Sequence, residues 1–265
     1  MPALGWATHH RLWVLGIGVG VLVVAVAAGL WLFALRSPGT QVDLRQALRL
    51  YRQGQHGRSN RSQRLPPPGV YRYWTSGGEH LSLGGINRSF PGLTEMIVND
   101  SNCATVKWAP FVEHIEGLVE CPSAGGGIAV AVAMSDEQIA GIRTVETVHC
   151  PTNAYLVPPD LSPGERWEAT CHAPGGSVGF AGEVVGSASV SVGRRKIPAL
   201  HTRVTLSYSG DASGANPTDY WISTQNGVIL RQRETVDVAQ ESGPLGSVRY
   251  TEQMALAIAS TTPVR

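Results

Sequence analysis

The chain has 265 residues, 43% of them hydrophobic and 15% charged, with a formal net charge of +1. That charge is unevenly shared. Residues 1–65 hold eight Arg and one acid, whereas the remainder holds 13 basic and 19 acidic residues, a net of −6 that argues against nucleic acid as a partner.

Residues 12–35, LWVLGIGVGVLVVAVAAGLWLFAL, contain no charge. As a helix they would span roughly 36 Å, enough to cross a hydrocarbon core of about 30 Å. Trp13 and Trp31 stand near the two ends, where indole rings favour headgroups, and Arg11 and Arg36 close the segment. The rival reading is a cleaved signal ending at Ala25-Val26-Ala27, but apolar sequence continues to Leu35. We therefore expect an uncleaved anchor, with a cytoplasmic tail at 1–11. Gly16 and Gly20 form a G-x-x-x-G pair suited to helix association.

Two signals conflict on which side the bulk occupies. Arg36, Arg45, Arg49 and Arg52 follow the anchor closely and favour the cytoplasm by the positive-inside rule. Cys103, Cys121, Cys150 and Cys171 favour an oxidising compartment, being an even set without a CxxC. The cysteines carry more weight, which makes the expectation a single-pass membrane protein with an extracytoplasmic domain.

Residues 36–68 read as a basic juxtamembrane stalk and linker. Leu44, Ala47, Leu48 and Tyr51 recur at helical spacing opposite Arg45, Arg49 and Arg52, so a short amphipathic helix is expected to about Gln53. It would lie on anionic headgroups or fray as a solvated stalk. Pro66 to Pro68 make a stiff spacer, and the domain is expected at 69–265.

From Val70 the pattern is β. Runs at 70–75, 80–83, 95–98, 104–108, 111–119, 128–134, 142–149, 166–171, 178–192, 200–208, 219–223, 228–235 and 247–259 are rich in β-branched and aromatic residues. Turn chemistry separates them at 99–100, 123–127, 158–164, 174–176, 209–216 and 226–227. The fold class expected is mainly β, an antiparallel all-β domain built as a curved sheet, half-barrel or sandwich. Of three possible disulfide pairings, Cys103 with Cys121 and Cys150 with Cys171 are preferred because both intervals are hairpin-sized.

Chemistry is sparse. Gly175-Gly176-Ser177-Val178-Gly179 fits G-x-S-x-G, with His201 and Asp211 as nominal partners for a hydrolase. The strand-then-helix setting that motif requires is missing. His149-Cys150 and Cys171-His172 could be drawn as a zinc site, but adjacent strand residues face opposite ways. Glu113, His114 and Glu116 resemble a metal cluster in outline and read instead as a solvated strand face. No catalytic residue, metal or cofactor is assigned, and the domain reads as a binding or accessory module rather than an enzyme.

Residues 187–231 resemble the strand grammar of LolA-like periplasmic half-barrels. Val190, Val192, Gly193, Pro198, Ala199, Trp221, Gly227, Leu230 and Arg231 supply its positions. With 19 Arg against two Lys, Lys107 and Lys196, the composition suggests a high-GC bacterial genome, and the chain resembles membrane-anchored envelope proteins of the actinobacterial type. The resemblance implies a concave apolar face that binds a lipid or other hydrophobic ligand, or an accessory in envelope assembly with a protein partner. Trp74, Trp108, Trp167 and Trp221 are the candidate ligand-facing aromatics, or else core filler.

Overall fold

The computed structural model describes residues 39–54, 65–139, 142–241 and 246–265. The expected anchor at 12–35, with Gly16 and Gly20, lies outside them. No helix among the described residues is long and apolar enough to cross a membrane. The described residues all belong to one compact unit, Gly39–Arg265.

One helix, α1 (Leu44–Gln53), precedes the strands β1 (Gly69–Leu81), β2 (Ile86–Ser89), β3 (Leu93–Asn99), β4 (Ala104–Phe111) and β5 (His114–Pro122). Then come β6 (Ile128–Ile139), β7 (Ile142–His149), β8 (Tyr155–Val157) and β9 (Arg166–Ala173). The last five are β10 (Gly176–Val192), β11 (Arg195–Gly210), β12 (Ala212–Ser223), β13 (Ile229–Glu241) and β14 (Ser247–Ile258). The all-β, antiparallel expectation holds, since each of these strand pairings is antiparallel.

The sheet does not stay open. Strands follow one another from β3 to β7 and from β9 to β14, and β1 sits beside β3. β1 also pairs with β14 over a register running from Tyr73 opposite Ile258 to Leu81 opposite Tyr250. The sheet is thus a closed barrel, with β2 appended to β1 and β8 to β6. Closure satisfies both edges of the sheet, which a half-barrel would leave exposed.

Alternation decides what the barrel contains. On β14, Glu252, Met254, Leu256 and Ile258 are buried and point inward, and on β1 Tyr71 and Tyr73 do the same. A bulge on β6 shifts its register against β5 between Val119 and Glu120, skipping Ala131. The shift changes strand parity, so Ala133, Ser135 and Glu137 line the interior beyond Ile128 and Val130. Gly182 has a packing reason: a Cβ there would meet the Trp167 indole at 2.0 Å.

The stalk helix is part of the wall. Asp43 caps it, accepting a hydrogen bond from the Gln46 N–H at 2.8 Å. Its buried Ala47 and Tyr51 pack with Val42 against Val70, Ile97 and Ala109, on the outer face of β1, β3 and β4. The apolar face is therefore spent on the barrel, and the exposed residues of the helix are Arg45, Arg49, Arg52 and Gln53.

Another departure concerns 209–216, expected as a polar turn. β11 runs to Gly210 and β12 begins at Ala212, leaving Asp211 between them. These residues look like a loop because Asn216 and Thr218 face a polar interior, where their side chains bond each other at 2.9 Å.

The barrel has one thin seam. β7 meets β9 at a single pair, His149 opposite His172, whereas β10 and β9 share eight. The disulfide Cys150–Cys171 lies beside that pair, and Cys103–Cys121 closes the β4–β5 hairpin. Both expected bridges are present. Each closes a loop of about 20 residues, worth about 3 kcal/mol in the chain-entropy account. Replacing Cys150 and Cys171 by Ser should cost roughly 2–4 kcal/mol in guanidinium melts. It should also raise amide exchange selectively in β7 and β9. The Cys103→Ser/Cys121→Ser pair should cost stability without that local exchange.

Candidate functional site

The interior divides into an apolar part and an acidic part. The largely apolar part holds a cavity of about 150 Å³ whose wall includes Trp108, Ala133, Val148, Phe180 and Leu206, with Glu146, Gln232 and Glu234 among its polar members. A larger space of about 510 Å³ opens toward the β6–β7 and β9–β10 turns and is lined in part by Glu137, Ser177, Asp211 and Tyr250. Glu116, Ser135, Glu146, Val178, Tyr208 and Asn216 border both, so the two are continuous.

The acidic part is organised around His114, which is fully buried on β5. Phe90 and Trp108 hold its ring edge-on, with centroids 5.8 and 5.5 Å away. His114 Nδ1 lies 2.8 Å from Glu79 Oε2. Glu79 also accepts from Arg88 Nε, and its Oε2 is 2.9 Å from the Tyr250 hydroxyl. That hydroxyl is in turn 2.5 Å from Glu252 Oε2. Tyr250 has one proton to give. Both contacts are satisfied when Tyr250 donates to Glu79 and a protonated Glu252 donates to Tyr250.

Charge states follow from these surroundings. Burial, reinforced by the Glu116 carboxylate, pushes Glu252 well above the usual carboxyl range. Burial likewise raises Glu137 to about 7 and, with Glu116 again contributing, Glu234 to about 8. Glu234 is held by Asn216 Nδ2 and Gln232 Nε2, both at 2.7 Å. Burial alone would lower His114, but Glu116 and Glu79 outweigh it and raise its pKa well above 6.5. Glu79 moves the other way, because His114 and Arg88 overcome its desolvation. Glu120 stands apart, fully buried with neither oxygen hydrogen-bonded and raised by burial to about 8.

The structure corrects one reading directly. His114 and Glu116, expected on a solvated strand face, point into the barrel, and of the three only Glu113 faces outward, accepting from the Thr40 N–H at 2.7 Å. His114, Glu116, Leu118 and Glu120 share a face at i, i+2 spacing. Ile115 and Val119 opposite them are as apolar as a core face, so polarity alone selects the wrong side. Glu79, Arg88, Glu137 and Glu252 carry no signal in the sequence, since they converge only when distant strands pair.

The other candidates disperse. Ser177 Oγ bonds Ser209 Oγ at 2.9 Å, while His201 bonds Asp219 at 2.8 Å. His201 and Ser209 lie on one strand, eight residues or roughly 26 Å apart. Ser177 and His201 thus form no triad, and Asp211 sits against Gly175. The drawn zinc site is absent because both its cysteines are in the Cys150–Cys171 bridge. Among the tryptophans, Trp108 lines the cavity, and Trp167 is buried and donates to the Tyr155 carbonyl at 2.9 Å. Trp74 is 61% exposed, and Trp221 stacks on His201 at 4.2 Å with Arg231 over its ring.

The fold and site define a closed antiparallel β-barrel with a cavity that is apolar at one end and acidic at the other. No protein-family model matches the chain, and no curated protein sequence does. Among solved structures, it resembles the hypothetical lipoprotein YmcC from Escherichia coli K12 at 10% identity and a TM-score of 0.30. The likeness covers 81% of this chain and 97% of that one. A score that low does not establish a common fold.

Stability should depend on pH with a definite sign. Glu137, Glu234 and Glu252 have raised pKa values, so the folded state holds protons that the unfolded state has released above about 4.5. His114, also raised, adds stability below about 6.5 that is lost as pH climbs through its folded value. In chelator-containing buffer the melting temperature should fall by several degrees from pH 6 to pH 8. Below about pH 4.5 it should fall again as the depressed Glu79 is protonated. A melting temperature that rises from pH 6 to 8 would contradict these assignments.

Proposed function

We propose that this chain is a non-catalytic binding protein of the cell envelope. Its barrel takes a small amphiphile, seating a compact apolar end at Trp108, Phe180 and Leu206 and a hydrogen-bond-donating or cationic body at Glu146 and Glu234. The observation that carries the reading is the continuity of the two spaces. The space of about 150 Å³, with Trp108, Phe180 and Leu206 in one part of its wall and Glu146 and Glu234 in another, is of the size that accepts a benzene-like group, and the adjoining 510 Å³ lies within the usual range of ligand pockets. That smaller volume favours a ring or short branched end over the long acyl chains of a lipid carrier. The two disulfides support action outside the cytoplasm, and the uncharged stretch at 12–35 supports attachment to the membrane.

Native mass spectrometry of the full chain, followed by organic extraction, tests the reading. A stoichiometric small molecule is expected, and an empty barrel that binds no apolar probe would end it. For a pair of probes differing only in amine against carboxylate, the amine should bind at least tenfold tighter. Ala133→Phe, which fills the smaller space, should abolish probe binding while leaving the far-ultraviolet circular dichroism unchanged.

A further inference from the structure

We propose that the acidic end of the barrel is a divalent transition-metal site, with His114 Nε2, Glu116, Glu137 and Glu252 as the ligands and Glu79 as the group that orients the histidine. The unpartnered nitrogen points to it. His114 is fully buried, its Nδ1 is engaged by Glu79, and its Nε2 has no hydrogen bond among the described residues. That nitrogen faces Glu116 Oε1 at 3.4 Å and Glu252 Oε2 at 4.0 Å. The second oxygen of Glu252, itself 1% exposed, is likewise unbonded. A buried imidazole nitrogen is rarely left without a hydrogen bond, and here the Glu116 and Glu252 carboxyls face it without closing to a good bonding geometry.

The donor spacing suits an ion. Ligand atoms of His114, Glu116 and Glu137 lie within 4.8 Å of one another, as do those of Glu79, His114 and Glu252. Bonds of about 2.1 Å place octahedral donors about 3 Å apart when adjacent and about 4.2 Å apart when opposite. One nitrogen with several carboxylate oxygens is a set for Mn²⁺, Fe²⁺ or Zn²⁺ rather than for a soft, thiolate-seeking ion.

Register supplies an independent reason. Glu79 stands directly opposite Glu252 across β1 and β14, and His114 directly opposite Glu137 across β5 and β6. Two like charges facing each other across strands are destabilising unless a cation or a proton separates them. The bond from His114 Nδ1–H to Glu79 is the outer-sphere arrangement that fixes a metal-bound imidazole, and Arg88 and Tyr250 fix Glu79 in turn. The ion would replace the proton on His114 Nε2 and those of Glu252 and Glu137, and release them.

Equilibrium dialysis of the chelator-stripped full chain against Mn²⁺ and against Zn²⁺ tests the site, with bound metal counted by elemental analysis. One ion per chain is expected for at least one of the two. H114Q and E252Q should each weaken binding tenfold or more, and E113Q, on the outer face, should not. Retention of no ion by the wild type, or equal retention by both inner variants, would overturn the proposal. Should the variants not fold, Mn²⁺ titrated into the wild type decides. It must broaden the resonances of His114 and Trp108, whose rings lie 5.5 Å apart, before those of His201. Uniform broadening would count against the site. The amphiphile reading stands or falls separately, because an ion without a ligand leaves this site intact and a ligand without an ion removes it.

Discussion

Everything in this protein depends on the pairing of its first strand with its last. β1 and β14 are joined from Tyr73 opposite Ile258 to Leu81 opposite Tyr250, and without that ladder the sheet is an open, curved surface with two unpaired edges. Closure turns one face of every strand into an interior. It also carries Glu79, Tyr250 and Glu252 up to His114, which sits more than thirty residues from the nearest of them in sequence. The fold and the acidic cluster are therefore products of the same contact.

Closure has a cost, because the enclosed polar groups lose water. A buried carboxylate is tolerated when it is hydrogen-bonded, paired or protonated, and each solution appears along the barrel. Glu79 is paired with Arg88 and His114, Glu234 is held by two side-chain amides, and Glu120 is kept neutral by burial alone. The cluster at His114 is the place where these solutions run short, since acids outnumber bases there and a ring nitrogen is left over. An apolar barrel of the same shape would be easier to fold, which makes the cluster a feature to explain by binding rather than by stability.

The sequence makes the fold class legible because local chemistry specifies it. β-Branched runs, Gly and Asn turns, and two hairpin-sized cysteine intervals need no knowledge of distant partners. Helix α1 is legible for the same reason, as Ala47 and Tyr51 repeat at helical spacing. Closure is not legible, since no residue of β1 announces that its partner is some 180 positions later. Nor is the destination of the helix's apolar face, for a stripe of Leu, Ala and Tyr suits a membrane surface and a barrel wall equally.

The site was hidden by a different property of strands. A half-buried strand shows its inside only if the inside is the apolar face. β5 reverses the usual contrast at its first turn, with His114 and Glu116 inside and Ile115 packed toward the α1 cluster on the outside. β6 goes further by changing parity at a bulge, so that the alternation read from Ile128 to Val132 mispredicts where Glu137 points. An interior that is apolar at one end and acidic at the other cannot be recognised strand by strand, because each strand crosses from one regime to the other. What identifies such an interior is the convergence of inward acids from β1, β5, β6, β13 and β14 on one end, and that convergence exists only once β1 has met β14.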